Sequence, residues 1–128
     1  MKYGLYLFVL IFLCCSKDDT KSLNSTNLKG KWIETETRLD TLSFESLDDL
    51  EIMNLNRGKE LSNGNFMPKP KSGPYTYILL EEKISLNWVL SSNSSFNDYY
   101  FKVIDNRLNI GNFYGSTLGE TLTFERLD

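Results

Sequence analysis

From residue 28 to the end of the chain, apolar and polar residues alternate in short runs rich in β-branched and aromatic side chains, and Asp, Asn, Ser and Gly punctuate the runs. A period of two, with no competing period of 3.6, restricts such a chain to half-buried strands. It predicts eight of them, over residues 31–37, 41–45, 50–56, 75–80, 83–91, 98–104, 107–113 and 121–127.

Two hairpins specify their own registers. With Glu81-Glu82 as a turn, Leu79 faces Ile84, Tyr77 faces Leu86 and Tyr75 faces Trp88. With Asp105-Asn106 as a turn, Val103 faces Leu108 and Phe101 faces Ile110. A slip of one residue would set apolar against polar side chains throughout, and Asp-Asn tolerates the positive φ of a tight turn. The in-facing set is then Leu42, Phe44, Tyr75, Tyr77, Leu79, Ile84, Leu86, Trp88, Leu90, Tyr99, Phe101, Val103, Leu108, Ile110, Leu122 and Phe124. Eight short strands with one apolar face hide that face and their edges together by closing. The expected fold is all-β, a small eight-stranded antiparallel up-and-down barrel, with an open two-sheet sandwich as the alternative.

Residues 57–74 break the pattern. Asn63-Gly64 suggests a minor hairpin that joins Leu61 to Phe66, and Pro68-Lys69-Pro70 should be extended. A connection this long in so small a domain serves either as a lid over a barrel mouth or as an ordinary surface loop.

The N-terminus carries a different signal. Lys2 is followed by an unbroken apolar run from Leu5 to Leu13 and then by Cys14-Cys15. The run is too short to span a membrane and has the length of an export-signal core. The arrangement resembles the lipobox of bacterial lipoproteins. Its implied reading is a cleaved signal over residues 1–14 and a lipidated Cys15, since Cys14 is the smaller residue to precede the cut. Ser16, Lys17, Asp18 and Asp19 then resemble the Cys-x-Lys-acid-acid tag that sorts some Gram-negative lipoproteins to the outer membrane, facing the cell exterior. Residues 15–27 form a polar tether and 28–128 the barrel domain. Several acyl chains hold such an anchor far more firmly than one. Net charge is −3, and −4 once Lys2 leaves with the signal, which argues against nucleic acid as a partner.

Within the barrel, Gly30-Lys31-Trp32 resembles the Gly-x-Trp that opens the first strand of lipocalins, and residues 122–127 resemble the last strand of small lipocalin-like lipoproteins. The resemblance implies that Trp32 plugs one end and that Arg126 packs over it. It also implies a monomer with a small apolar ligand inside, near Phe44, Tyr77, Leu86, Trp88, Tyr99 and Phe101. An interior of eight strands is nearly filled by side chains alone, so the competing reading is a filled barrel that binds a protein or glycan by its loops or outer face. There Ile78, Val89, Tyr100 and Ile104 point outward. If Trp32 points inward, so does Glu34, unless a twist turns it out; a buried carboxylate would need a partner such as Arg38 or Arg126. Glu36 is expected to face water.

The chain has no histidine, and both cysteines belong to the signal. The usual general base, thiol nucleophile and transition-metal ligands are therefore missing, and neither Asp48-Asp49 nor Glu81-Glu82 can converge as a catalytic dyad. The sequence implies a binding module with no cofactor and no metal, not an enzyme. Lipidation has a direct check. Cys15→Ala should move the protein out of the membrane fraction; release by Cys14→Ala in its place would shift the lipidated position by one residue.

Overall fold

A computed structural model of the chain describes residues 25–115, 117 and 119–127. The expected signal, Cys15 and the expected Ser16–Asp19 tag lie outside the described residues. A single 3-10 turn, Ser25–Leu28, leads into ten strands: β1 (Gly30–Glu34), β2 (Thr41–Leu47), β3 (Leu50–Asn56), β4 (Lys59–Ser62), β5 (Asn65–Pro68), β6 (Gly73–Leu80), β7 (Lys83–Trp88), β8 (Asn97–Ile104), β9 (Arg107–Gly111) and β10 (Thr121–Leu127). Eight of them close into an antiparallel barrel in the order β1-β10-β9-β8-β7-β6-β3-β2, and β4-β5 form a separate two-stranded hairpin. The protein is therefore a closed up-and-down barrel, not an open sandwich.

The registers follow the coincidence of apolar faces. Tyr75 pairs with Trp88, Tyr77 with Leu86 and Leu79 with Ile84; Phe101 pairs with Ile110 and Val103 with Leu108. Positive φ falls at Glu82 and Asp105, one in each turn, and at both Asp48 and Asp49 between β2 and β3. The Asn63-Gly64 turn brings Leu61 opposite Phe66. Pro70 and Lys71 are not extended, however: they form a turn in which the Ser72 N–H donates to the Lys69 carbonyl at 3.2 Å.

Two expectations need correction. First, β1 stops at Glu34 because the chain turns back there, with the Glu34 N–H donating to the Asp40 carbonyl at 2.9 Å. Second, Leu90 is 64% exposed, since β7 ends at Trp88 and the Ser91 N–H bonds back to the Trp88 carbonyl. Leu28 is fully buried as the last residue of the 3-10 turn. The core also takes Met53, Leu55 and Phe113.

One end of the barrel is closed by that turn. The Trp32 indole N–H donates to the Leu28 carbonyl at 3.0 Å. The Arg126 guanidinium lies 4.3 Å from the Trp32 ring centre, and its nitrogens donate to the carbonyls of Lys29 (2.7 Å) and Asn27 (2.5 Å). Trp32 and Arg126 sit opposite each other on β1 and β10, so the strands that close the barrel also carry its plug. Gly30, at φ 118, lets the chain swing under the guanidinium; a side chain there would meet Arg126 Nη1 at 3.4 Å in a backbone conformation L residues avoid.

Trp32→Ala should cost about 3–5 kcal/mol as a core truncation. Arg126→Ala should cost about 1–2 kcal/mol through the lost cation–π contact and carbonyl bonds. Urea unfolding of both variants checks the order; a larger loss for Arg126 would mean that the guanidinium, not the indole, holds that end.

Candidate functional site: the barrel mouth

The strand directions separate the connections into two sets. The two-residue turns at 48–49, 81–82 and 105–106 gather with the 3-10 turn at the plugged end. The longer connections 35–40, 57–72, 89–96 and 112–120 gather at the other end and form a mouth. Side chains fill the interior between them: Phe44 packs edge-on against Tyr77 at 5.5 Å, and Phe101 is 2% exposed.

A cavity of about 210 Å³ opens at the mouth. Its aromatic wall is Tyr75, Trp88, Tyr99 and Phe113, with Leu86 beneath. Phe113 is central, edge-on to Tyr75 (5.2 Å), Tyr99 (6.0 Å) and Tyr114 (4.9 Å). Trp88 stacks on Tyr75 at 6.4 Å, as expected for a facing pair on neighbouring strands. The rim is polar: Ser91, Asn93 and Ser95 come from the connection after β7, Asn97 opens β8, and Lys71 reaches over from the turn before β6. Lys71 Nζ lies 5.0 Å from the Trp88 ring centre. Gly73 is needed beside this wall: its φ is 116, and a Cβ there would come within 2.8 Å of Leu90 Cδ1.

The 57–72 connection is fastened to the mouth at both ends. Arg57 Nη1 donates to the Pro70 carbonyl at 2.7 Å, and its guanidinium lies 4.8 Å from the Tyr114 ring centre. The Lys69 N–H donates to the Gly58 carbonyl at 3.1 Å. Tyr75 Oη donates to the Lys71 carbonyl (2.7 Å) and the Trp88 indole to the Ser72 carbonyl (3.2 Å). Only the β4–β5 hairpin stands away from the barrel, with Leu61 and Phe66 65% and 73% exposed.

Glu34 is buried just inside the mouth, 4% exposed. Its partners are not arginines, because Arg38 pairs with Glu125 and Arg126 lies at the plugged end. The carboxylate instead accepts the N–H groups of Glu36 (2.8 Å) and Thr37 (2.7 Å) and the Thr37 hydroxyl (2.7 Å), which staples the turn after β1. Glu36 faces water. Burial pushes the Glu34 carboxyl up, but these bonds, with one from the Arg38 N–H, outweigh it and hold the group below its ordinary value. Burial raises the Tyr75, Tyr99 and Tyr114 phenols; for Tyr114 the bond to Asp40 (2.9 Å) adds to the shift. These phenols stay protonated at neutral pH, and those of Tyr75 and Tyr114 act as hydrogen-bond donors, not bases.

Of the six residues expected to touch a ligand, Leu86, Trp88 and Tyr99 line the cavity. Phe44, Tyr77 and Phe101 do not; they are part of the packed core below it. The period-2 pattern did not single out Lys71, Ser91, Asn93, Ser95 or Asn97, because only Asn97 lies on a strand. The run of Ser and Asn at 91–97, directly after an aromatic strand, was the one trace of a polar rim in the sequence. Among the described residues no group of three or more acidic, His or Cys side chains gathers to hold a metal. No family model, no curated protein and no solved structure matches the chain.

The lowered Glu34 pKa fixes a sign. Stabilisation by the charged carboxylate is complete above the ordinary carboxyl value of 4.5 and is lost as pH falls through the lowered folded value. Glu34→Gln should therefore cost about 1–3 kcal/mol at neutral pH. The gap to the native protein should narrow as unfolding is repeated at increasingly acid pH; a constant gap would mean that the charge is not what matters.

Proposed function

We propose that the chain is a lipid-anchored, non-catalytic binding module of lipocalin-like build that takes a small, half-polar ligand at its mouth. One observation carries this reading: an open cavity of about 210 Å³ with an aromatic wall and a Ser/Asn rim lies above the buried core cluster, at the end where all the long connections meet. Drug-sized ligand pockets start at about 300 Å³. The cavity therefore favours a ligand of one ring lying against the mouth over a long apolar molecule inside the barrel. The lipid anchor rests on Cys14-Cys15 and the run before them, and the outer-membrane placement on Ser16-Lys17-Asp18-Asp19. The absence of histidine from the chain and the protonated state of the mouth phenols support binding without catalysis.

A second reading has its own observation. In β4–β5, Lys59, Leu61, Phe66 and Pro68 share one face of the hairpin, and Leu61 and Phe66 are exposed on it. A face of this kind suits a protein or glycan partner.

Native mass spectrometry of the protein, equilibrated with a small-molecule extract of its cells, tests the first reading. A bound mass should appear, and Ser91→Trp, which fills the cavity, should abolish it without lowering stability. No bound mass, or one that persists in Ser91→Trp, would move the function to the hairpin face.

A further inference from the structure

The cavity wall carries one charge. Among the described residues that line the cavity, Lys71 is the only ionised side chain, and no described carboxylate lies within ion-pair distance of it. The other residues of the rim, Ser91, Asn93, Ser95 and Asn97, are neutral, so Lys71 sets the sign of the charge that the cavity presents.

The backbone is strained to put it there. Lys71 has φ 68 and occupies the third position of the Lys69-Pro70-Lys71-Ser72 turn, a place that glycine or asparagine fills at least cost. Two hydrogen bonds from the aromatic wall hold the strained residue, from Tyr75 to its own carbonyl and from Trp88 to the next. The ammonium is thereby brought over the Trp88 ring, with no hydrogen-bonding partner of its own among the described residues. Positive φ also occurs in the two-residue turns of the plugged end; Lys71 differs in that the bonds holding its turn come from the side chains of the cavity's own aromatic wall.

Resting on the mouth reading above, we propose that the cavity selects a ligand bearing a carboxylate on a single six-membered ring. The carboxylate pairs with Lys71, the ring lies against Trp88 and Tyr99, and Ser91, Asn93 and Asn97 bond its remaining polar atoms. The size agrees: about 210 Å³ holds one substituted ring and no more. A benzoate-type acid and a uronate-type sugar share this chemistry.

Tryptophan fluorescence reads the site directly. The chain has two tryptophans; Trp88 lines the cavity, and Trp32 is fully buried at the far end. The full chain is titrated with benzoate against benzamide, and with glucuronate against methyl glucoside. At least one carboxylate should bind about fivefold tighter than its neutral partner, an advantage that shrinks as salt is added. Which pair shows it separates an aryl acid from a sugar acid. Lys71→Gly, which relieves the positive φ and so keeps the turn, should remove the advantage, and Lys71→Arg should retain it. Equal binding of charged and neutral partners, or an advantage that survives Lys71→Gly, overturns the selection and leaves the mouth reading standing. No binding of any of the four overturns both.

Discussion

Everything in this barrel depends on β1 meeting β10. Without that pairing the sheet has two free edges and an uncovered apolar face, and eight strands of five to eight residues cannot hide both. The contact between Trp32 and Arg126 sits on the closing pair and does two things at once. The indole fills the narrowing end of the core, and the guanidinium covers it while gathering the carbonyls of the preceding turn. The same few residues thus decide that the sheet closes and which end is shut. The shut end has short turns; the long connections are left for the other, and that division places the cavity.

The hairpins were legible in the sequence because their evidence is redundant. For β6–β7 and β8–β9, turn chemistry and apolar alternation point to one register, so neither needs the rest of the fold to be right. The inward set was less clear in β3, where Leu50 and Ile52 are apolar in one phase and Met53 and Leu55 in the other; the barrel buries the second pair most deeply. Leu90 continued the alternation of β7, yet a turn after Trp88 removed it from the core. Alternation registers which residues are apolar and carries no record of where a strand stops.

The mouth was the least legible part, for a physical reason. Its polar rim is set by backbone turns, and turns have no period. Lys71 looked like one lysine among several in a Pro-Lys-Pro segment, and nothing local says that its φ is positive or that Trp88 lies beneath it. Glu34 taught the opposite lesson. An inward carboxylate suggested an ionic partner, but the chain reverses so sharply after β1 that its own N–H groups arrive first. A short-range backbone solution displaced the long-range pair that the residue types suggested.

The 3-10 turn at the plugged end also determines how the protein bears load. A pull through the segment before Ser25 enters at Leu28 and runs along β1, whose neighbours on both sides, β10 and β2, are antiparallel to it. Force along a strand axis shears all the rungs of both ladders together, where force across it would open them one at a time. The buried Trp32 adds a bolt that must be drawn through the core before the rungs can slip. The residues that close the barrel are thus the first that a pull on this end would meet, and the cavity lies at the opposite end of the same strands.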